Sequence, residues 1–171
     1  VTDQRSRRYA EFHANPAGTV IDKVQHFPFP GRQFLRDDSK KRLVAIDEQM
    51  LDSIQQKTFL FFLHEHHPEW GIVKDRTAAW APASIAATGF GIPSFAIGAE
   101  RKWITREEAA AITLDILSFF IGSDQNADTN TTGYRGFYYH FLRMNSGTRE
   151  WNCELSSVDT GLLMMGILFA R

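Results

Sequence analysis

Ser84–Arg101 reads SIAATGFGIPSFAIGAER. From Ile85 to Ala99 almost every residue is small or apolar, and Ser84 can serve as an N-cap, so the run predicts a helix surrounded by protein. Gly89, Gly91 and Gly98 each cost about 1 kcal/mol relative to alanine inside a helix, and Pro93 up to about 3. Close packing must therefore offset these residues, and a kink is expected near Pro93. Ser156–Phe169, SSVDTGLLMMGILF, repeats the theme. Ser156 and Asp159 form an S-x-x-D capping signature ahead of the nearly all-apolar Gly161–Phe169. Two inner helices are expected.

Working outward, each inner helix has an amphipathic predecessor. Asp47–His67 carries Leu51, Ile54, Phe61 and Phe62 at three- and four-residue steps, and Pro68 ends the run. Thr105 and Glu108 form a T-x-x-E capping box opening a helix that places Ala110, Ile112, Ile116, Leu117, Phe119 and Phe120 on one face and stops near Gly122. Asp124–Thr132 is polar and reads as a loop. Gly136–Leu142, GFYYHFL, has β-forming composition, Asn145-Ser146-Gly147 supplies a turn, and a hairpin returning through Trp151 is expected. Residues 1–46 read as an irregular leader, with Arg5, Arg7 and Arg8 near the start and the proline-punctuated His26–Gly31 further on. Outer and inner helices thus alternate, as in a double-layered helical barrel. Only about four helices are predicted, so the apolar inner pair implies the N-terminal part of a larger barrel, a self-associating chain or a companion chain.

The 171 residues fit one domain. Lys and Arg total 19 against 20 Asp and Glu, a net charge of -1 that argues against a dedicated nucleic-acid binder and suits a neutral ligand. A 43% hydrophobic fraction with 13% aromatics predicts a buried core. The single cysteine, Cys153, excludes an internal disulfide and a cysteine-based structural zinc site. Gly161–Ala170 is about half the roughly 20 residues needed to cross a bilayer, so no membrane span is expected.

Chemistry concentrates in Arg149–Thr160, REWNCELSSVDT, where a hairpin runs into the start of an inner helix. The helix dipole and free N–H groups favour ionised Glu154 and Asp159 there. Two carboxylates beside the flat rings of Trp151 and Tyr139 suit glycoside chemistry, in which one group protonates the leaving oxygen and another activates water or attacks carbon. Asp159 is equally explained as the capping partner of Ser156. Gly71–Arg76, GIVKDR, leads toward the other inner helix; parallel inner helices would bring Asp75 and Arg76 to the same cleft, or the two simply form an ion pair fixing a loop. His140 alternates with aromatics and is a candidate to face a ligand, against a packed sheet residue. His64-Glu65-His66-His67 lacks H-E-x-x-H spacing and reads as a solvated helix terminus, so no metal is expected. Cys153 reads as a small buried thiol rather than a nucleophile. Gly89 and Gly91 follow no strand, which excludes a phosphate cradle and leaves helix packing. No cofactor is expected.

Five ordered blocks, GIVKDR (71–76), ASIAATGFG (83–91), IGAERKW (97–103), GFYYHF (136–141) and ELSSVDTG (154–161), resemble the bacterial glucoamylase-like hydrolases. That group includes relatives acting on β-1,2-glucan and a domain of the cyclic β-1,2-glucan synthases. The resemblance covers about Leu51–Arg171. It implies a mainly α fold, the N-terminal part of an (α/α)6 barrel with a small β-hairpin insertion, in which residues 47–171 supply about four of twelve helices. It further implies a carbohydrate cleft where the inner helices begin, with Glu154 and Asp159 as cleft carboxylates and Asp75, Arg76, Arg149 and Trp151 as substrate-shaping neighbours. The expected activity is hydrolysis of a glucan, with β-1,2-glucan foremost, by carboxylate acid/base catalysis in a periplasmic or secreted protein. The partner would be an oligo- or polysaccharide, with no nucleic acid. The rival expectations are a non-catalytic carbohydrate-binding module and a self-associating helical module whose apolar faces form an interface between copies.

Overall fold

The computed structural model describes residues 37–171. The site belongs to the compact unit Glu48–Arg171. Four helices appear among the described residues: α1 (Asp37–Glu65), α2 (Ile85–Glu100), α3 (Arg106–Gly122) and α4 (Ser157–Phe169). Five strands of two or three residues accompany them: β1 (Ala83–Ser84), β2 (Gly133–Tyr134), β3 (Phe137–Tyr139), β4 (Phe141–Leu142) and β5 (Leu155–Ser156).

Helix α1 starts ahead of the expected Asp47 and takes in residues 37–46 of the expected leader; residues 1–36 lie outside the described residues. Leu43 and Ala45 are good helix formers, and neither glycine nor proline interrupts the sequence between Gly31 and Pro68. The helix ends at Glu65, and His66 already bridges to Val73. Leu51 and Ile54, expected on its buried face, are exposed; Phe59 is its buried anchor, with Leu60, Phe62 and Leu63 partly buried.

The capped helices follow their sequence signals. Ser84 Oγ accepts from the Ala87 N–H, and Thr105 and Glu108 exchange both bonds of the capping box at 3.1 and 2.7 Å. Helix α2 runs unbroken past Pro93. Proline has no N–H to offer the Gly89 carbonyl one turn earlier. That carbonyl lies against Gly166 of α4, and a Cβ added at Gly89 would come within 2.7 Å of the Leu162 carbonyl oxygen. The close approach of α2 and α4 therefore requires glycine on both sides. Phe95, Ile85, Ile92, Ile116, Leu142 and Leu163 are fully buried around this crossing, each side chain worth about 1.5–3 kcal/mol relative to exposure. The inner helices are not buried all round, however: Phe90 and Ile97 of α2 and Met165, Leu168 and Phe169 of α4 are exposed.

The segment Gly136–Leu142 does more than form a hairpin. Its turn is as expected, with Gly147 at φ +67° and the Arg143 N–H bonded to the Thr148 carbonyl. Return pairing is confined to a single bridge, Leu142 with Arg149. The main partners are remote: β4 pairs antiparallel with β1, which leads into α2, and β3 pairs antiparallel with β5, which leads into α4. The switch occurs at His140, whose carbonyl accepts from the Ile85 N–H and whose N–H donates to the Glu154 carbonyl. One segment thus aligns the lead-in strands of both inner helices. These helices run parallel and begin at the same end of the molecule.

Candidate active site

At that end His140 stands between two carboxylates. Its Nδ1 lies 3.0 Å from Glu154 Oε1 and its Nε2 3.8 Å from Asp159 Oδ1. Local sequence dictates the placement. Asp159 is held in the first turn of α4: its N–H donates to Ser156 Oγ at 3.1 Å, and the same hydroxyl donates to Asp159 Oδ2. The Thr160 hydroxyl donates to the Ser156 carbonyl and accepts from the Tyr138 N–H, fastening the turn to β3. Asp159 is therefore the capping partner of Ser156, and it is also the inner neighbour of His140.

The two carboxylates differ in setting. Asp159 is buried, whereas the Glu154 side chain is about two-thirds exposed. Bonding to its own backbone N–H, then to His140, holds the Glu154 carboxyl below its ordinary pKa, and the Arg149 charge adds to the effect. Hydrogen bonds and positive charge favour the ionised form, so Glu154 is a carboxylate at neutral pH.

Aromatic rings continue outward from the imidazole. His140 stacks on Phe141 at 3.9 Å, and Phe141 meets Trp151 edge-on at 5.4 Å. Trp151 is exposed, with a positive φ of 51°, an unusual conformation for a bulky residue. Such a conformation persists where surrounding structure over-determines it. Tyr139, expected beside the sugar, is instead buried, and the Arg149 guanidinium covers its ring at 4.5 Å. Arg149 Nε also donates to the Cys153 carbonyl at 2.7 Å, so Arg149 braces the loop that carries Glu154. Cys153 is half-buried, with Sγ accepting from the Phe141 N–H at 3.4 Å.

Asp75 and Arg76 pair with each other at 2.6 Å and do not join the His140 cluster. They remain at the same end of the fold: Lys74 bridges to Ala83, whose other neighbour is Leu142. Across this ladder their backbone is two strand spacings, about 10 Å, from that of β4. The His64–His67 run takes local roles, with His66 Nδ1 2.7 Å from the Leu63 carbonyl oxygen and His67 stacked on Trp70 at 4.3 Å. Sequence reasoning did not single out Trp80, which is exposed with Arg76 over its ring at 5.7 Å. Its only sequence signal was a tryptophan in a short loop beside GIVKDR. An open groove of about 800 Å3, lined by Ile92, Ala96, Leu117 and Ile167 among others, lies toward the opposite end and holds neither cluster carboxylate.

Two parallel inner helices, opening beside a carboxylate–imidazole–carboxylate cluster, give the architecture of part of an (α/α) barrel. No protein-family model matches the chain. Over 133 residues, 73% of its length, it is 29% identical to the exo β-1,2-glucooligosaccharide sophorohydrolase (non-reducing end) of Parabacteroides distasonis, and it spans 17% of that protein. Among solved structures it is similar to a β-1,2-glucanase from Parabacteroides distasonis, with a TM-score of 0.62, 29% identity and coverage of 73% of this chain and 18% of that one. It is likewise similar to a candidate glucoamylase from Bacteroides uniformis, with a TM-score of 0.59, 28% identity and coverage of 71% and 29%. The resemblance to glucoamylase-like and β-1,2-glucan-cleaving proteins and the mainly α, partial-barrel fold therefore stand. Among the described residues no helix is long and apolar enough to cross a membrane.

Proposed function

We propose that this cluster is part of the site of a glycoside hydrolase acting on a β-linked glucan, β-1,2-glucan foremost. The observation that carries the reading is His140 held between Glu154 and Asp159, with Phe141 stacked on the imidazole and the exposed Trp151 edge-on to Phe141. The names of the similar proteins, which specify β-1,2-linked glucans, support the linkage.

Within this reading Glu154 is the base. It is ionised and solvent-facing, so it takes one proton of a water whose oxygen bonds to the anomeric carbon as the glycosidic C–O bond breaks, while the departing oxygen takes up a proton from solvent water. His140 and Asp159 are positioning residues. Asp159, fixed by Ser156, orients the imidazole, and the imidazole orients Glu154. The role of Trp151 is to offer a flat face to a sugar ring. A polymeric glucan does not cross a bilayer unaided, so the reading also puts the protein in the periplasm or outside the cell, which fractionation of producing cells tests.

The deciding experiment incubates the purified protein with linear β-1,2-glucan and with starch, with Glu154→Gln in parallel. Release of oligosaccharide from the β-1,2-glucan alone, lost in the variant, is the expected result. Equal rates in the variant would overturn the assignment of Glu154, and binding without release would identify a non-catalytic carbohydrate-binding module.

A further inference from the structure

Residues 76–81 form a loop closed at its base by the Asp75 N–H bonded to the Pro82 carbonyl at 2.9 Å and by the Lys74–Ala83 bridge. Because β1 runs from this base into α2, the loop projects beyond the start of α2. The segment carrying Trp151 and Glu154 likewise precedes the lead-in strand of its helix, β5 before α4, and lies beside Phe141 and His140. The ladder runs from Lys74 through Ala83 and Leu142 to Arg149, so Ala83, where the first loop ends, lies two spacings, about 10 Å, from Arg149, where the second begins, and Lys74 lies three. At its tip Trp80 is the more exposed of the two indoles, 69% against 53% for Trp151.

An exposed indole is ordinarily free to swing, but Trp80 is not left so. The Arg76 guanidinium lies 5.7 Å from its ring centroid, within the range of a cation–π contact. Arg76 is itself held by Asp75, whose Oδ2 meets both Nε at 2.8 Å and Nη2 at 2.6 Å, a charge-assisted contact. This Asp75–Arg76–Trp80 series does nothing for the core, since Arg76 and Trp80 are exposed.

Resting on the carbohydrate reading above, we propose that Trp80 is a second sugar-stacking platform, separated from Trp151 by the span of a short oligosaccharide, and that Arg76 and Asp75 hold its indole in place. The ligand class is a glucan long enough to reach both loops. Asp75 and Arg76 thus act on the substrate through Trp80.

The test uses the protein carrying Glu154→Gln, which retains ligand without turning it over, titrated calorimetrically with β-1,2-linked glucooligosaccharides of increasing length. Trp80→Ala should weaken the longer oligosaccharides about tenfold and leave the shortest unchanged, with Trp80→Phe restoring most of the loss. Arg76→Ala should weaken the same long ligands and add nothing once Trp80 is already alanine; an equal loss in that background would overturn the positioning role. Unchanged affinity for the longer oligosaccharides in Trp80→Ala, or an equal loss at every length, would overturn the platform alone. No binding of any oligosaccharide by the parent would overturn the carbohydrate reading with it.

Discussion

Nδ1 of His140 lies 3.0 Å from Oε1 of Glu154, while the backbone N–H of the same histidine donates to the Glu154 carbonyl. Side chain and main chain thus fix this glutamate from one residue. The relationship has a pH signature. The folded pKa of Glu154 is depressed, so its ion's contribution to stability is complete above the unfolded value and is lost as pH falls through the folded one. Activity that needs the carboxylate should follow the same limb. In kcat/KM against pH, the acidic limb should lie below the ordinary glutamate range and move up toward it in His140→Ala. An unmoved limb would remove His140 from this role.

Glu154→Gln should lower kcat on β-1,2-glucan by about 10²–10⁴-fold, the usual contribution of a positioned base. Its side chain is largely exposed, so the thermal midpoint should barely change. A matching loss of stability would mean the variant reports on folding instead.

Ser156→Ala removes the N-cap of α4 and the hydroxyl that holds Asp159. Chemical denaturation should show a loss of about 0.5–2 kcal/mol from the cap. Activity should fall further than this stability change explains, since Asp159 then no longer sets the imidazole. Ser156→Thr keeps the hydroxyl and should recover most of both.

Glycines in α2 and α4 should split by position. At Gly89 an added Cβ meets backbone of Leu162 and Leu163 at 2.7 Å, and backbone cannot swing aside. Gly89→Ala should therefore destabilise by about 1–3 kcal/mol or more. At Gly161 nothing lies within 4 Å, so Gly161→Ala should stabilise by about 0.5–1 kcal/mol. Paired urea titrations of the two variants check the contrast.

Capping residues were legible because their signals are local: Ser84, Thr105 with Glu108, and Ser156 with Asp159 each declare a helix start within a few positions. The two carboxylates lie at one such start, Glu154 ahead of the cap and Asp159 in the first turn. The partners of Gly136–Leu142 were not legible. Its composition says strand, but pairing with β1 and β5 is set by contacts remote in sequence, and adjacency suggested only the hairpin. Tyr139 and Trp151 illustrate the same limit. Both are aromatic residues near Glu154, yet Tyr139 is buried in β3 under the Arg149 guanidinium while Trp151, at a positive φ, is exposed. Trp80 escaped notice because its meaning depends on Arg76 lying across its ring.

The partner switch at His140 also divides the chain into parts that can and cannot change length. Inserting one residue between Phe137 and Leu142 would turn alternate side chains to the other face and put tyrosine or phenylalanine where the imidazole meets the carboxylates. The turn at 143–148 and the loop at 76–81 sit outside that ladder, where lengthening costs little chain entropy. Descendants of this scaffold could therefore exchange one glycan for another by growing or trimming these two loops, with the chemistry at the mouth of the helices left in register.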